Sequence, residues 1–185
     1  MHVEMTSLPG VLLITPTVHR DPRGFFIETY HQQRYQAAGV DALFVQDNHS
    51  QSVQGTLRGL HAQLLRPQAK LVRCVEGVIW DVAVDIRVGS PTFGQWTGAE
   101  LSAATGRQIY IPTGFAHGFV VLSDRAQVEY KCSDVYVADD QLGLRWNDPQ
   151  LGVQWPQAVE PILSDKDKVA PLLKDALDRL PRYQA

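Results

Sequence analysis

Cysteine is scarce in this chain: Cys74 and Cys132 are the only two among 185 residues. Both are isolated and lie in segments with the pattern of β-strands. This suits reduced, buried thiols better than the disulfide framework of a small secreted domain. The N-terminal run MHVEMTSLPG also lacks the basic region and apolar core of a secretory signal. No apolar run approaches the roughly 18 residues of a membrane span. We therefore expect a cytoplasmic protein with no membrane partner.

A strong excess of charge of either sign is also missing. The formal net charge is −3 and the sequence pI is about 6.0, so nothing in the composition favours nucleic acid or an acidic membrane surface as a partner. Any anionic ligand must be held by local cations. The chain has no internal repeat, low-complexity tract or linker. With 44% apolar residues it can form one well-packed core, so we expect a single domain over residues 1–185.

Short apolar runs between turn formers recur along the chain and predict eight or more strands. The clearest covers Val78 to Arg87, where bulky apolar residues alternate with polar ones. FGQW and AELS suggest another strand pair. Helical patterns are limited to residues 31–40 and to a charged segment from Asp165 to Leu180 with one apolar face. This pattern favours an all-β sandwich or barrel with short peripheral helices, the last packing on the rest at about residues 165–180.

The stretch GTLRGLHAQLLRPQAKLVRCVEG, residues 55–77, places Arg58, His61 and Lys70 in or beside predicted strands. A strand directs every second side chain to one face, so these three groups can converge on one cavity. Each also has an ordinary interpretation. A lone histidine in a sheet is more often a hydrogen-bonded structural residue, and single lysines and arginines are more often surface charges.

Metal chemistry and nucleophilic catalysis fit the sequence poorly. Metal sites in cupin barrels usually begin with two histidines one residue apart, and His61-Ala62-Gln63 offers one. His117 alone cannot complete a three-ligand site, so the sequence predicts no metal. No serine has a recognisable nucleophile context, and neither cysteine has a neighbouring histidine or a helix N-terminus.

Proton transfer at carbon fits better. It needs a base that titrates near neutrality, an acid on the opposite face of the substrate, and a cation near the developing oxyanion. His61 has a suitable intrinsic pKa. Tyr130 is a candidate acid and Lys70 a candidate cation. Asp167 could orient His61, as a carboxylate does in a catalytic dyad.

Nine ordered motifs carry a resemblance to a known family. They are DPRGFFIETY, FVQDNHSQS, GTLRGLHAQ, QAKLVRCVEGVIWDVAVDIRVGSPTFGQW, IYIPTGFAHGF, VEYKCSDVY, WNDP, GVQWP and ILSDKD. Along nearly its whole length the chain resembles the dTDP-4-dehydrorhamnose 3,5-epimerase family, cupin-fold enzymes of dTDP-L-rhamnose synthesis. RGLH and IPTGFAHGF are the most specific elements.

The resemblance implies a cupin-type jelly-roll fold, a homodimer, and no cofactor or metal. It implies epimerisation at C3 and C5 of dTDP-4-dehydro-6-deoxy-D-glucose to dTDP-4-dehydro-L-rhamnose. By motif, His61 is similar to the base, Asp167 to its dyad partner, Tyr130 to the acid, and Lys70 to the charge near the C4 oxygen. Two alternatives stay open. One is a single-carbon epimerase or ketoisomerase on a related dTDP-4-keto-6-deoxy sugar. The other is a non-catalytic sugar-nucleotide-binding protein.

Ten further positions match the substrate-binding residues of the family: Arg23, Glu28, Gln46, Asp47, Asn48, Arg58, His117, Tyr136, Gln141 and Lys166. The chain departs from the family pattern after Tyr136, where a proline and a ligand-contacting glutamate usually follow. Ala138 and Gln141 stand at those positions, and Asp139 or Asp140 is a candidate substitute for the missing carboxylate. Ala62 replaces an aromatic residue that commonly follows the motif histidine, which predicts looser packing there.

Overall fold

The computed structural model describes residues 1–156 and 160–184. Its thirteen strands are β1 His2–Met5, β2 Leu12–Thr15, β3 Val18–Asp21, β4 Gly24–Ile27, β5 Gln46–Val53, β6 Leu57–Gln63, β7 Lys70–Glu76, β8 Val78–Asp85, β9 Trp96–Ser102, β10 Gln108–Ile111, β11 Phe115–Val121, β12 Arg125–Cys132 and β13 Gln141–Gly143. The α-helices are α1 Gln32–Ala37, α2 Asp165–Lys168 and α3 Leu173–Ala176, with 3-10 turns at Ala138–Asp140 and Leu177–Arg179.

Two antiparallel sheets form the body of the protein. A six-stranded sheet has the order β1-β2-β10-β7-β12-β5, and a five-stranded sheet has the order β13-β6-β11-β8-β9. Apolar side chains from both sheets share one buried cluster, so the sheets pack face to face; Val72 and Val128 come from the first sheet, and Ile79 and Phe119 from the second. This confirms the predicted all-β, cupin-type jelly roll. Strands β3 and β4 form a separate hairpin.

The C-terminal segment covers the outer face of the five-stranded sheet, but it is not one helix. The prediction of a continuous helix from Asp165 to Leu180 is wrong: α2 ends at Lys168 and α3 begins at Leu173. Pro171 lies between them, and a proline disfavours helical geometry at the residue before it. The apolar face still packs as expected, since Leu173, Ala176 and Leu180 join the buried cluster of that sheet. Within residues 1–156 and 160–184, no helix is long and apolar enough to cross a membrane.

The predicted strand pair around FGQW and AELS is a single strand, β9. Gly98 lies in its middle, between the two segments that were predicted as separate strands. A Cβ at this position would stand 2.7 Å from the indole of Trp80 on the paired strand. The glycine therefore makes room for a large neighbour, which is a common reason for glycine inside a strand.

Candidate active site

Polar side chains from both sheets face one cavity inside the sandwich. His61 on β6 and His117 on β11 are direct cross-strand partners in the five-stranded sheet. Lys70 on β7 and Tyr130 on β12 belong to the six-stranded sheet. All four line a cavity of about 350 Å³. An adjoining space of about 270 Å³ shares His61, Lys70 and Tyr130 with it. The structure thus gathers three predicted catalytic residues and one predicted binding residue, His117, from distant parts of the chain.

His61 is held by Asp167, which lies 106 residues away in the sequence. The distance between His61 Nε2 and Asp167 Oδ1 is 2.6 Å. Asp167 lies in α2, and Ser164 caps that helix by accepting the backbone N–H of Asp167. Burial opposes ionisation of Asp167, but the hydrogen bond from His61 and that from Ser164 outweigh it, so the pKa of the carboxyl is lowered. An ionised carboxylate only accepts, so Nε2 donates, and Nδ1 of the neutral ring is left with a lone pair.

Tyr130 and Lys70 adjoin each other on the opposite wall, with the Lys70 Nζ 5.9 Å from the centre of the phenol ring. Burial raises the pKa of Tyr130, so the phenol stays protonated at neutral pH. Burial lowers the pKa of Lys70, and the nearby Cys132 and Asp81 oppose that change. The wall facing His61 therefore carries a proton donor, Tyr130, and the side-chain amine of Lys70.

Asp81 is a site residue that the sequence analysis missed. Its side chain is wholly buried in β8, and its Oδ2 lies 2.9 Å from Nε2 of His117. Burial lowers the pKa of His117, and Asp81 only partly offsets this, so the imidazole stays neutral at pH 7. A carboxylate among the apolar residues of a buried strand was the available signal, because such a group requires a partner.

Besides His117, four predicted binding residues line the same two spaces. Arg58 lines the larger one, where its Nε donates to Ser52 Oγ at 3.0 Å. Asn48, Tyr136 and Gln141 line the adjoining one. These four residues form the rim around the predicted catalytic groups.

Two more predicted binding residues lie close by. Gln46 contacts two rim residues, since it donates to Asn48 Oδ1 at 3.0 Å and accepts from the backbone N–H of Tyr136 at 2.9 Å. Lys166 lines a third space of about 280 Å³ together with His61 and Asp167.

Three predicted binding residues lie elsewhere in this chain. Arg23 pairs with Asp21 on the exposed β3–β4 hairpin, and Glu28 pairs with Arg34 of α1. Asp47 pairs with Lys131. Successive residues of a strand point to opposite faces, and Asp47 lies between the cavity-facing Gln46 and Asn48, so it faces outward.

The structure shows the contacts of the residues that depart from the family pattern. Gln141 Oε1 accepts the hydroxyl of Tyr136 at 3.0 Å, so it orients the ring. Asp140 does not replace the missing ligand-contacting carboxylate, because it is buried and accepts three backbone N–H groups of residues 64–66. Ala62 is 8% exposed and belongs to the buried cluster on the outer face of its sheet, and it also borders the adjoining space of about 270 Å³; the looser packing predicted there stays a prediction.

Ser50 also lines the cavity and was missed by the sequence analysis. Its hydroxyl is buried and has no hydrogen-bond partner among residues 1–156 and 160–184. The alternation along β5 places it on the same face as Asn48 and Ser52. Within the described part of the chain, no group of three or more histidine, cysteine, aspartate or glutamate side chains is arranged to hold a metal ion.

Comparison with known proteins identifies the family. The model of the dTDP-4-dehydrorhamnose 3,5-epimerase family matches residues 5–175. A dTDP-4-dehydrorhamnose 3,5-epimerase of Salmonella typhimurium is 51% identical over 96% of this chain and 98% of its own length. A dTDP-4-dehydrorhamnose 3-epimerase of Streptomyces niveus is 41% identical over 99% of this chain and 90% of its own length.

A solved structure of a related protein matches the fold along the whole chain. The dTDP-6-deoxy-D-glucose-3,5-epimerase of Legionella pneumophila, crystallised with dTDP-4-keto-L-rhamnose, superposes with a TM-score of 0.97 at 47% identity, covering 100% of this chain and 99% of that one. Fold and sequence agree along nearly the whole chain. It belongs to the dTDP-4-dehydrorhamnose 3,5-epimerase family, a family of isomerases.

Proposed function

We propose that this protein inverts C3 and C5 of dTDP-4-dehydro-6-deoxy-D-glucose to give dTDP-4-dehydro-L-rhamnose. One observation carries the proposal. His61 and Tyr130 belong to different sheets and line the same cavity. A sugar ring bound between the sheets therefore has a base on one face and an acid on the other, which is what inversion requires.

The residues divide the reaction among them. The C4 carbonyl acidifies the hydrogens at C3 and C5, and His61, oriented by Asp167, removes the proton from carbon. The electron pair moves onto the C4 oxygen, where the Lys70 ammonium stabilises the enolate. Tyr130 then returns a proton to the same carbon from the opposite face. Arg58 is suited to the diphosphate, since a guanidinium can bind phosphate oxygens in a bidentate manner.

We also propose that residues 1–185 form one domain that acts in the cytoplasm as a homodimer. The hairpin that carries Arg23 exposes Phe25 and Phe26, and Leu43 and Val45 are exposed as well. Phe25 and Phe26 are adjacent on the exposed hairpin, and exposed apolar patches are typical of protein interfaces. A homodimer would cover these side chains. Light scattering coupled to gel filtration should give twice the chain mass of 20.6 kDa, and the monomer mass would contradict this part of the proposal.

A second candidate function is inversion at C3 alone. It is supported by the 41% identity to the Streptomyces niveus protein, which is named as a 3-epimerase. The same cavity serves both reactions, because the two carbons flank one carbonyl.

Proton NMR in deuterated water separates these functions. With dTDP-4-dehydro-6-deoxy-D-glucose as substrate, the wild-type protein should place deuterium at C3 and C5 and give the L-rhamno product. Label and inversion at C3 alone would support the second candidate. If substrate bound without exchange at either carbon, a non-catalytic binding protein would be indicated.

A further inference from the structure

Two loops at the mouth of the cavity are bonded to each other. One loop follows β6 (residues 64–69), and the other follows β12 (residues 133–140) and carries Tyr136. Arg66 pairs with Asp134 at 2.5 Å, and the Gln68 carboxamide donates to the backbone oxygen of Asp134 at 2.7 Å. The backbone N–H of Ala69 donates to Ser133 Oγ at 2.8 Å. These contacts join residues 64–69 and 133–140 into one unit, the loop brace.

Gln63 lies at the centre of this unit. Its Nε2 donates to the backbone oxygens of Arg66 at 2.8 Å and Val135 at 3.1 Å, and its Oε1 accepts the N–H of Val137 at 2.6 Å. Both amide hydrogens are used, and the side chain is 7% exposed. Although Gln63 borders the cavity, it has no donor left for a substrate. Its bonds go instead to the residues on either side of Tyr136.

Tyr136 is thereby fixed relative to the predicted base. Its backbone N–H donates to Gln46 and its hydroxyl to Gln141, while Gln63 holds the residues before and after it. Gln63 stands two residues after His61 in β6, so both lie on the same face of one strand. One rigid strand therefore sets the position of the base and of the aromatic rim.

We propose that Gln63 is a positioning residue that aligns Tyr136 with His61 and so sets substrate affinity. The proposal rests on the proposed function, in which Tyr136 binds the substrate. It also gives a role to the His61-Ala62-Gln63 motif. In metal-binding cupins a second histidine at the third position would serve a metal, and here a carboxamide holds the rim in place.

The substitution Gln63→Met tests the proposal, because methionine has a similar length and shape but cannot make the three hydrogen bonds. KM for the dTDP-4-keto sugar and Kd for dTDP should rise about five- to tenfold, because Tyr136 transmits to the substrate only part of the effect of the three lost hydrogen bonds. The value of kcat should change by less than about twofold, because the base and acid keep their places.

The decisive measurement repeats Gln63→Met in a Tyr136→Ala background. If Gln63 acts through Tyr136, its effect on KM and Kd should fall to less than about twofold once that ring is gone. An effect of the same size in both backgrounds would show a general structural role and overturn the proposal. Unchanged KM and Kd in the single variant, or a collapse of kcat alone, would overturn it too.

Two further variants complete the test. Gln54→Met is a surface control for the same change of residue type. Gln54 is exposed, donates its carboxamide to the backbone oxygen of Leu122 at 2.8 Å, and lines none of the three spaces around His61. This variant should leave KM unchanged. If Gln63→Met does not fold, Asp140→Asn loosens the same brace and should show the same dependence on Tyr136.

The proposed function and this inference fail in different ways. A wild-type protein that binds dTDP but never inverts the sugar would refute the function. The effect of Gln63→Met on the Kd for dTDP could still be measured in that case. An active wild-type protein whose Gln63→Met variant behaves identically would refute the brace alone.

Discussion

Replacing Asp81 with asparagine should move the alkaline limit of activity to lower pH. Asp81 is wholly buried, and its charge raises the pKa of Lys70 against the effect of burial. An asparagine side chain at this position would keep nearly the same shape and remove the charge. The pKa of Lys70 should therefore fall further. Because Lys70 must be cationic to stabilise the enolate, activity should be lost as pH rises through this lower pKa.

The size of the effect depends on the fraction of lysine that stays charged. Burial and the nearby Cys132 affect the pKa of Lys70 more than Asp81 does, so the loss of Asp81 should lower this pKa further and leave Lys70 charged in acid. At the pH where half of the wild-type lysines are charged, a clearly smaller fraction would be charged in the variant. The value of kcat should therefore fall in the same proportion there and far less at lower pH.

The assay is the pH dependence of kcat, followed by NMR with the dTDP-4-keto sugar. Tyr130 must also be protonated, but burial raises its pKa while that of Lys70 is lowered, so the alkaline limb reports Lys70. Asp85→Asn is the matched control, a second wholly buried carboxylate on the same strand, paired with Arg87. The Asp85→Asn substitution should destabilise the fold and leave the alkaline limb of the pH profile unchanged. An unshifted limb in Asp81→Asn would refute the reasoning.

Four further outcomes are expected. Arg58→Ala should raise KM more than it lowers kcat, because diphosphate binding is shared by ground and transition states; a collapse of kcat at constant KM would contradict this. Incubation with EDTA should leave turnover unchanged, and loss of activity restored by one divalent ion would contradict it. His61→Ala should abolish deuterium exchange, whereas Tyr130→Phe should allow exchange without inversion. Each variant should lose about 10²–10⁴-fold in product formation, and normal inversion by either one would refute the role assigned to that residue. Asp85→Asn should lower the free energy of unfolding by about 3 kcal/mol at neutral pH. The pKa of Asp85 is lowered in the folded state, so its stabilising contribution is lost in acid, and the difference between wild type and variant should shrink as pH falls below about 3.8. Urea titrations at several pH values measure this difference, and a constant difference would contradict the prediction.

The all-β architecture was predictable because strand alternation is a local property. Buried strands such as β8 and β11 carry patterns that need no tertiary information. The errors came where a glycine or a helical face had two meanings. Gly98 makes room for Trp80 within one strand and does not separate two strands. The apolar face after Asp165 packs correctly although Pro171 divides the helix.

The candidate site was predictable only in part, since its contacts join distant segments. The dyad of His61 and Asp167 spans 106 residues, and the resemblance rather than any local pattern pointed to it. Arg23 and Glu28 matched binding motifs, yet this chain places them on or beside an exposed hairpin, away from the cavity. A motif fixes a residue's type, whereas its place in the site depends on packing and on any second chain.

The residues that were missed share a physical feature. Asp81, Ser50 and Gln63 bury polar side-chain atoms on strands, where a polar group is costly unless it has a partner. Asp81 and Gln63 have partners across the fold, and the Ser50 hydroxyl points to the space where a substrate would bind. Polar residues at core positions of predicted strands are therefore the most informative sites in such a sequence. Each requires a partner, and finding that partner separates a structural brace from a ligand contact.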